Sequence, residues 1–212
     1  MLTLHHLNDS RSQRVLWLLE EIGVPYELVR YQRDAKTNLA PPELKAIHPL
    51  GKSPVIVDGT RTIAESGVIV EYLARKYGGG RFAPAVDIDS DDYLAYLHWM
   101  HYAEGSAMVP VLLQLYVSRL GDAGAPLAPR IESEMQNHFG YMNQALQGRE
   151  FFVGNALSGA DVQMSFVVEA AASRGPVQGY PNLVAFMDRV QARPAYQRAL
   201  QRGGPYRFAK AR

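Results

Sequence analysis

The 212-residue sequence contains no cysteine. This absence excludes disulfide bonds, thiolate metal sites and a cysteine nucleophile. Any reaction of this protein that uses a thiol therefore needs a thiol supplied from outside the chain.

A charge excess and a long apolar run are also missing. Lys and Arg number 22 against 21 Asp and Glu, so the formal net charge is +1 and gives no bulk attraction to nucleic acid or anionic membranes. No apolar run approaches the ~20 residues that span a bilayer, and the N-terminus lacks the pattern of a secretory signal. We therefore expect a cytoplasmic protein without a nucleic-acid or membrane partner.

Metal-binding motifs are absent as well. His98, His101 and Glu104 are spaced so that they drift around a helix, and no H-E-x-x-H is present. Asp87 to Asp91 begins like a calcium loop, but the required Gly and Glu are missing from the positions that follow. We expect no metal.

The first 78 residues alternate between strand and helix patterns. The order is βαβ followed by ββα, in which Gly23 and Pro25 end the first helix and Asp58-Gly59 forms a hairpin turn. The predicted strands cover 2–6, 26–31, 54–57 and 61–63, and the predicted helices 11–22, 42–47 and 65–77.

The remainder reads as helical. Gly78-Gly79-Gly80 and Pro84 mark a linker over 79–88. Helical patterns then cover 90–119, 127–148, 159–173, 181–192 and 194–202. The predicted fold class is α/β plus all-α, with domains at 1–78 and 89–212.

One local signal concerns folding. Ser158 to Asp161 has the spacing of a capping box, with Asp where Glu or Gln is usual. We interpret it as the start of a helix rather than as a catalytic group.

The first candidate site lies between the first strand and the first helix. Ser10 and Ser12 flank Arg11 there, and a serine in this position most often caps the helix. Alternatively, a hydroxyl at the positive end of a helix can stabilise a thiolate by a charge-assisted hydrogen bond. Position alone favours the cap.

Two further segments carry candidate binding groups. Pro54 suits the first residue of a strand, but a cis Ser53–Pro54 bond would instead present backbone groups to an extended peptide. Glu65 and Ser66 are ordinary first-turn residues of a helix, yet they could also hold the ammonium and carboxylate of an α-amino acid.

Three segments together resemble the cytosolic glutathione transferase family. They are Leu7 to Glu21, then His48 to Val55 with Ala64 to Ser66, and lastly Leu157 to Asp161. The resemblance covers nearly the whole chain and implies a thioredoxin-like first domain and an all-helical second domain.

The resemblance also implies roles for the candidate residues. Ser10 matches the serine of the serine-type classes, and Ser12 is the second choice for activating the thiol. Ser53, before the family's cis-proline Pro54, would pair its backbone with glutathione. The implied ligands of the glutathione ends are Glu65 and Ser66 for the γ-glutamyl group and Lys52 for the glycine carboxylate.

The implied reaction is conjugation of glutathione to an apolar electrophile, as in detoxification, by a homodimer. The electrophile would lie against the helix over 90–119, where the candidates are Tyr96, Trp99, His101, Tyr102 and Met108, although such residues are more often core. Two alternatives stay open: a non-catalytic binding or regulatory protein with this fold, and a glutathione-dependent isomerase or peroxidase.

Overall fold

A four-stranded mixed sheet forms the centre of the N-terminal unit in the computed structural model, which describes residues 1–173 and 177–209. The strands are β1 (Leu2–Leu7), β2 (Glu27–Tyr31), β3 (Val55–Asp58) and β4 (Arg61–Ala64), in the spatial order β2-β1-β3-β4. β1 runs parallel to β2 and antiparallel to β3, which pairs antiparallel with β4. This order is the predicted βαβ unit followed by ββα.

Three helices accompany the sheet in sequence: α1 (Ser12–Ile22), α2 (Leu44–Ile47) and α3 (Ser66–Tyr77). The first eight residues of α1 are all buried, so this helix is covered on every side. Gly23 ends α1 at φ 79°, a left-handed conformation that glycine adopts without steric cost.

The C-terminal helix α9 (Pro194–Gly203) packs on α1. The chain accordingly divides into one unit of residues 1–85 with 190–212 and a second unit of residues 86–189. The sequence-based division assigned 190–212 to the helical domain because a helix pattern carries no information about the neighbour on which the helix packs. The break after residue 85 lies inside the predicted linker.

The second unit is helical. It contains α4 (Asp91–Tyr102), α5 (Met108–Val117), α6 (Ala128–Ala145), α7 (Gly159–Ala172) and most of α8 (Pro181–Ala192). The fold class predicted from the sequence, α/β plus all-α, is confirmed.

The helix predicted over 90–119 is interrupted. A π-helical segment, Ala103–Ala107, separates α4 from α5, and a 3-10 segment, Ser118–Leu127, follows α5. Pro110 lacks the N–H that would bond the carbonyl four residues earlier, and the widened turn lies just before it. Hydrophobic periodicity does not report such a local change of pitch.

Asp161 holds the start of α7. Its carboxylate is fully buried and accepts hydrogen bonds from the backbone N–H of Phe152 at 2.8 Å and from the backbone N–H and hydroxyl of Ser158 at 2.8 and 2.9 Å. The capping interaction predicted from the sequence is therefore present, and it also fastens the preceding loop.

We expect Asp161→Ala to lower the free energy of unfolding by about 2–4 kcal/mol, because buried backbone donors lose their acceptor. Urea unfolding at neutral pH measures the change. The exposed Asp122 supplies the control, and Asp122→Ala should leave stability nearly unchanged. Equal effects of the two variants would contradict this role.

Candidate active site

The turn between β1 and α1 places two serine hydroxyls side by side. The Oγ atoms of Ser10 and Ser12 are 2.8 Å apart, and the backbone N–H of Ser12 donates to Ser10 Oγ at 3.2 Å. The N-cap residue of α1 is Arg11, whose side chain makes no capping bond. Neither serine is the N-cap, and both hydroxyls lie at the positive end of a helix of 11 residues.

The two serines differ in burial. Ser12 is 0% exposed, and its hydroxyl contacts the backbone N–H and C=O of Leu7 and the ring of His6. Ser10 is 6% exposed and donates to the carbonyl oxygen of Leu7 at 2.8 Å. Of the pair, Ser10 is therefore the less buried residue.

Two arginines from distant parts of the chain brace this turn. Arg33 donates to the backbone oxygens of Asn8 and Asp9 at 3.1 and 3.2 Å. Arg207 donates its backbone N–H to the carboxylate of Asp9, which has a φ of 48°. The contacts of both arginines with this turn could not be predicted from the sequence, because no local pattern indicates contacts across 24 and 198 residues.

The Ser53–Pro54 peptide bond is cis. The Ser53 hydroxyl donates to the carbonyl of His5 at 2.8 Å and accepts from the N–H of Leu7 at 3.2 Å. The β1–β3 ladder ends at the pair of His5 and Val55, so the backbone of Ser53 lies outside the ladder. The neighbouring Lys52 is exposed.

A buried arginine lies behind the start of α3. Arg14, which is 1% exposed, donates from Nη2 to the hydroxyl of Ser66 at 2.7 Å. The preceding Glu65 is exposed and has φ 69° and ψ 116°, a conformation that is costly for a residue with a Cβ. A guanidinium, a hydroxyl and a helix N-terminus together make this position suitable for an anion.

Sequence analysis assigned Arg14 only to the first helix. The available signal was an arginine within the first turn of a helix that is otherwise mostly apolar. A guanidinium buried there requires hydrogen-bond acceptors from elsewhere in the chain. The contact with Ser66 spans 52 residues and could not be predicted from spacing.

The five electrophile-site candidates separate into buried and accessible side chains. Tyr96, Trp99 and Met108 are at most 5% exposed. His101 is exposed, and the partly buried Tyr102 bonds His138 Nδ1 through its hydroxyl. None of the five lines the pocket of about 410 Å³ in the helical unit, which α5, the 3-10 segment and α6 enclose with Tyr180.

Within residues 1–173 and 177–209, no group of three or more His, Asp, Glu or Cys side chains is placed to hold a metal ion. Across the same described ranges, no helix is both long and apolar enough to cross a bilayer.

Comparisons with known proteins agree with this fold. The family model of the glutathione S-transferase N-terminal domain matches residues 1–75, and that of the glutathione S-transferase C-terminal domain matches residues 124–201. The chain is 36% identical to glutathione S-transferase 3 of Schizosaccharomyces pombe, over 95% of this chain and 88% of that one. It is 31% identical to glutathione S-transferase 1 of Saccharomyces cerevisiae, over 92% of each chain.

A solved structure is also similar. The crystal structure of a glutathione S-transferase from Actinobacillus pleuropneumoniae superposes with a TM-score of 0.90 and 35% identity, over 100% of this chain and 97% of that one. The fold and these matches therefore define a transferase with a thioredoxin-like first domain and a helical second domain. The chain belongs to the glutathione S-transferase family, which confirms the resemblance and the enzyme class expected from the sequence.

The buried His6 makes the site unit sensitive to acid. Burial, followed by the positive charge of Arg30, lowers the pKa of His6 to about 4, against an ordinary value of 6.5. The unfolded chain therefore binds a proton at this histidine at a higher pH than the folded chain does. Its contribution to stability is complete above pH 6.5 and is lost as the pH falls through about 4.

We expect His6→Asn to flatten the fall in unfolding free energy between pH 7 and pH 4.5 by about 2–3 kcal/mol, because Asn does not titrate in this range. Urea unfolding at several pH values measures the slope. The exposed His101 provides the matched control, and His101→Asn should leave the slope of the wild type in place. An unchanged slope for His6→Asn would contradict the account.

Proposed function

We propose that this protein conjugates the thiolate of glutathione to small, largely apolar electrophiles and that the Ser10 hydroxyl donates a hydrogen bond to the reacting sulfur. One observation carries the proposal: Ser10 is the less buried member of a serine pair at the N-terminus of α1. Membership of the glutathione S-transferase family supports glutathione as the co-substrate.

The thiol must come from outside the chain because the chain has no cysteine, and family membership supports glutathione as its source. A free thiol with a pKa of about 8.5 is mostly protonated at neutral pH, and only its thiolate is strongly nucleophilic. A hydroxyl donor at a helix N-terminus favours the thiolate, and each unit by which the thiol pKa falls requires about 1.4 kcal/mol of differential stabilisation.

With an aryl halide as electrophile, the thiol first releases its proton to solvent. The sulfur then forms a bond to the ring carbon, and the halide leaves with the electron pair of the bond that breaks. Ser10 donates to the sulfur without removing a proton itself, so its contribution is electrostatic and positional.

The remaining residues would hold the tripeptide. Ser66, with Arg14 behind it, suits the carboxylate of the γ-glutamyl end, and the exposed Glu65 suits its ammonium group. The backbone of Ser53, outside the β1–β3 ladder, would pair with the cysteinyl residue. The exposed Lys52 would neutralise the glycine carboxylate.

The electrophile site, the localisation and the assembly are also part of the proposal. Of the five predicted residues, the accessible His101 and the partly buried Tyr102 are best placed to contact a substrate. The cytoplasmic location predicted from the sequence stays a prediction, and family membership supports a homodimer.

Two alternatives use the same fold. A non-catalytic binding protein would not require a hydroxyl at Ser10, and a glutathione-dependent isomerase or peroxidase would use the same thiolate on another substrate. Parallel assays with an aryl halide, an isomerase substrate and a hydroperoxide separate these activities from conjugation.

We expect Ser10→Ala to lower kcat/KM for conjugation to 1-chloro-2,4-dinitrobenzene at pH 6.5 by about 10- to 100-fold, because a hydrogen bond to a charged sulfur is lost. Calorimetry should show glutathione binding within about threefold of wild type, since the tripeptide contacts remain.

Ser133→Ala is the control, because Ser133 is exposed on α6, and it should behave as wild type. Full activity in Ser10→Ala would exclude Ser10 as the donor. A wild-type protein that does not bind glutathione would exclude the enzymatic proposal.

A further inference from the structure

His6 lies directly behind the serine pair. It belongs to β1, is 3% exposed, and places Nδ1 2.9 Å from the hydroxyl oxygen of Ser12. Ser12 in turn contacts Ser10 at 2.8 Å. The side chains of His6, Ser12 and Ser10 therefore form a continuous chain of polar contacts that ends at the Ser10 hydroxyl.

The other ring nitrogen of His6 faces α9. A Cβ built on Gly203 would lie 3.1 Å from His6 Nε2 and 3.2 Å from the side-chain oxygen of Gln13, so both side chains pack against this glycine. The amide oxygen and nitrogen of Gln13 are both buried without a hydrogen-bond partner among the described residues. Gln13 therefore does not accept a hydrogen bond from Nε2.

This environment selects one tautomer of neutral His6. A proton on Nε2 would be a donor without an acceptor among the described residues, whereas a proton on Nδ1 has the Ser12 oxygen as its acceptor. The geometry favours the Nδ1–H form.

With the proton on Nδ1, the direction of the remaining hydrogen bonds follows by counting. Ser12 Oγ accepts from His6 Nδ1 and from the N–H of Leu7, which uses both of its lone pairs. No lone pair of Ser12 Oγ is then left for the proton of Ser10, so a hydrogen bond between the two serines runs from the Ser12 hydroxyl to the Ser10 oxygen at 2.8 Å. The Leu7 carbonyl at 3.0 Å is the other acceptor within reach of the Ser12 hydroxyl, and the Leu7 N–H is shared with Ser53 Oγ. The Ser10 hydroxyl then donates its proton to the Leu7 carbonyl in the free enzyme. It can donate the same proton to the thiolate when glutathione is bound.

The opposite tautomer of His6, with the proton on Nε2, would reverse the direction of donation in these hydrogen bonds. With Nδ1 bare, Ser12 would donate to His6, and its oxygen would be free to accept the proton of Ser10. Donation to Ser12 would then compete with donation to sulfur. Successive donation in one direction also polarises the last hydroxyl and strengthens it as a donor.

We propose that His6 is a positioning residue for the transferase reaction: its Nδ1–H acts through the Ser12 hydroxyl to direct the proton of Ser10 toward the thiolate. This inference rests on the function proposed for Ser10. His6 does not touch the substrate and exchanges no proton with it.

The histidine stays neutral in the working range of pH. Besides burial, the charges that act on His6 are those of Arg30 on β2 and Asp9 in the β1–α1 turn, which have opposite effects on its pKa. Protonation of the ring at Nε2 would leave the Nδ1–H bond to Ser12 intact, so the proposed direction of donation does not depend on titration of His6.

The first test reads the tautomer in the wild-type protein. Long-range ¹H–¹⁵N spectra of protein labelled with ¹⁵N-histidine distinguish protonated from bare ring nitrogens, and His6→Asn assigns the His6 signals. We expect the Nδ1–H form at pH 7.5, with and without glutathione. A dominant Nε2–H form would overturn the inference without any dependence on how a variant folds.

The second test compares three substitutions by their kinetics. His6→Leu removes the donor, Ser12→Ala breaks the chain of polar contacts at its middle, and His6→Asn keeps a side-chain N–H near the position of Nδ1. We expect the first two to lower kcat with glutathione and the aryl halide at pH 6.5 by about tenfold, with KM for glutathione changed less than about twofold. His6→Asn should recover to within about threefold of wild type.

A double variant separates relay from packing. If His6 acts through Ser12, then His6→Leu combined with Ser12→Ala should be no slower than Ser12→Ala alone. Losses that multiply in the double variant, or equal losses in His6→Leu and His6→Asn, would assign His6 a packing role only.

The controls keep this inference separate from the proposed function. Ser10→Ala in the same assay tests the donor itself. Full activity in Ser10→Ala overturns the proposed function and the inference together, whereas loss in Ser10→Ala with wild-type kinetics in all three other variants overturns the inference alone.

Discussion

The structure of the site depends on one buried hydroxyl, that of Ser12. It joins β1 to the first turn of α1 because it contacts both backbone groups of Leu7 and the ring of His6. A hydroxyl has one proton and two lone pairs, so these contacts leave little freedom in how the neighbouring Ser10 is bonded. The position and the bonding of Ser10 are therefore constrained by a residue that is fully buried.

The return of the C-terminal segment to α1 holds the other end of this helix, where Glu20 and Glu21 lie. Glu20 accepts hydrogen bonds from Arg198 and Arg202, and Glu21 pairs with Arg193. These arginines are partly exposed, so the ion pairs specify orientation more than they add stability. Packing of α9 on α1, including the edge-on contact of Trp17 with Tyr196 at 5.7 Å, supplies the apolar burial.

Much of the fold could be predicted from the sequence because its signals are local. Gly23 and Pro25 end α1, Asp58-Gly59 marks the hairpin between β3 and β4, and the spacing of Ser158 and Asp161 marks the start of α7. The sequence-based elements match the observed ones apart from small differences at their ends and the interruption between α4 and α5.

The parts that could not be predicted are hydrogen bonds that form only in the folded chain. They are the bond from Arg14 to Ser66, the bonds of Arg33 and Arg207 to the β1–α1 turn, and the contacts from His6 through Ser12 to Ser10. The sequence shows that Ser10 and Ser12 lie together at the start of a helix, but it does not show which of the two serines is less buried. Burial, which depends on the whole unit, makes that distinction.

The role proposed for Ser10 is to stabilise the thiolate, and ultraviolet titration of bound glutathione measures this effect. The absorbance of the thiolate near 240 nm reports the ionised fraction at each pH, with glutathione and protein measured separately as blanks. The account predicts that the thiol pKa in the wild-type complex lies about one to two units below the free value and returns most of the way in Ser10→Ala. An equally low thiol pKa in both complexes would contradict it.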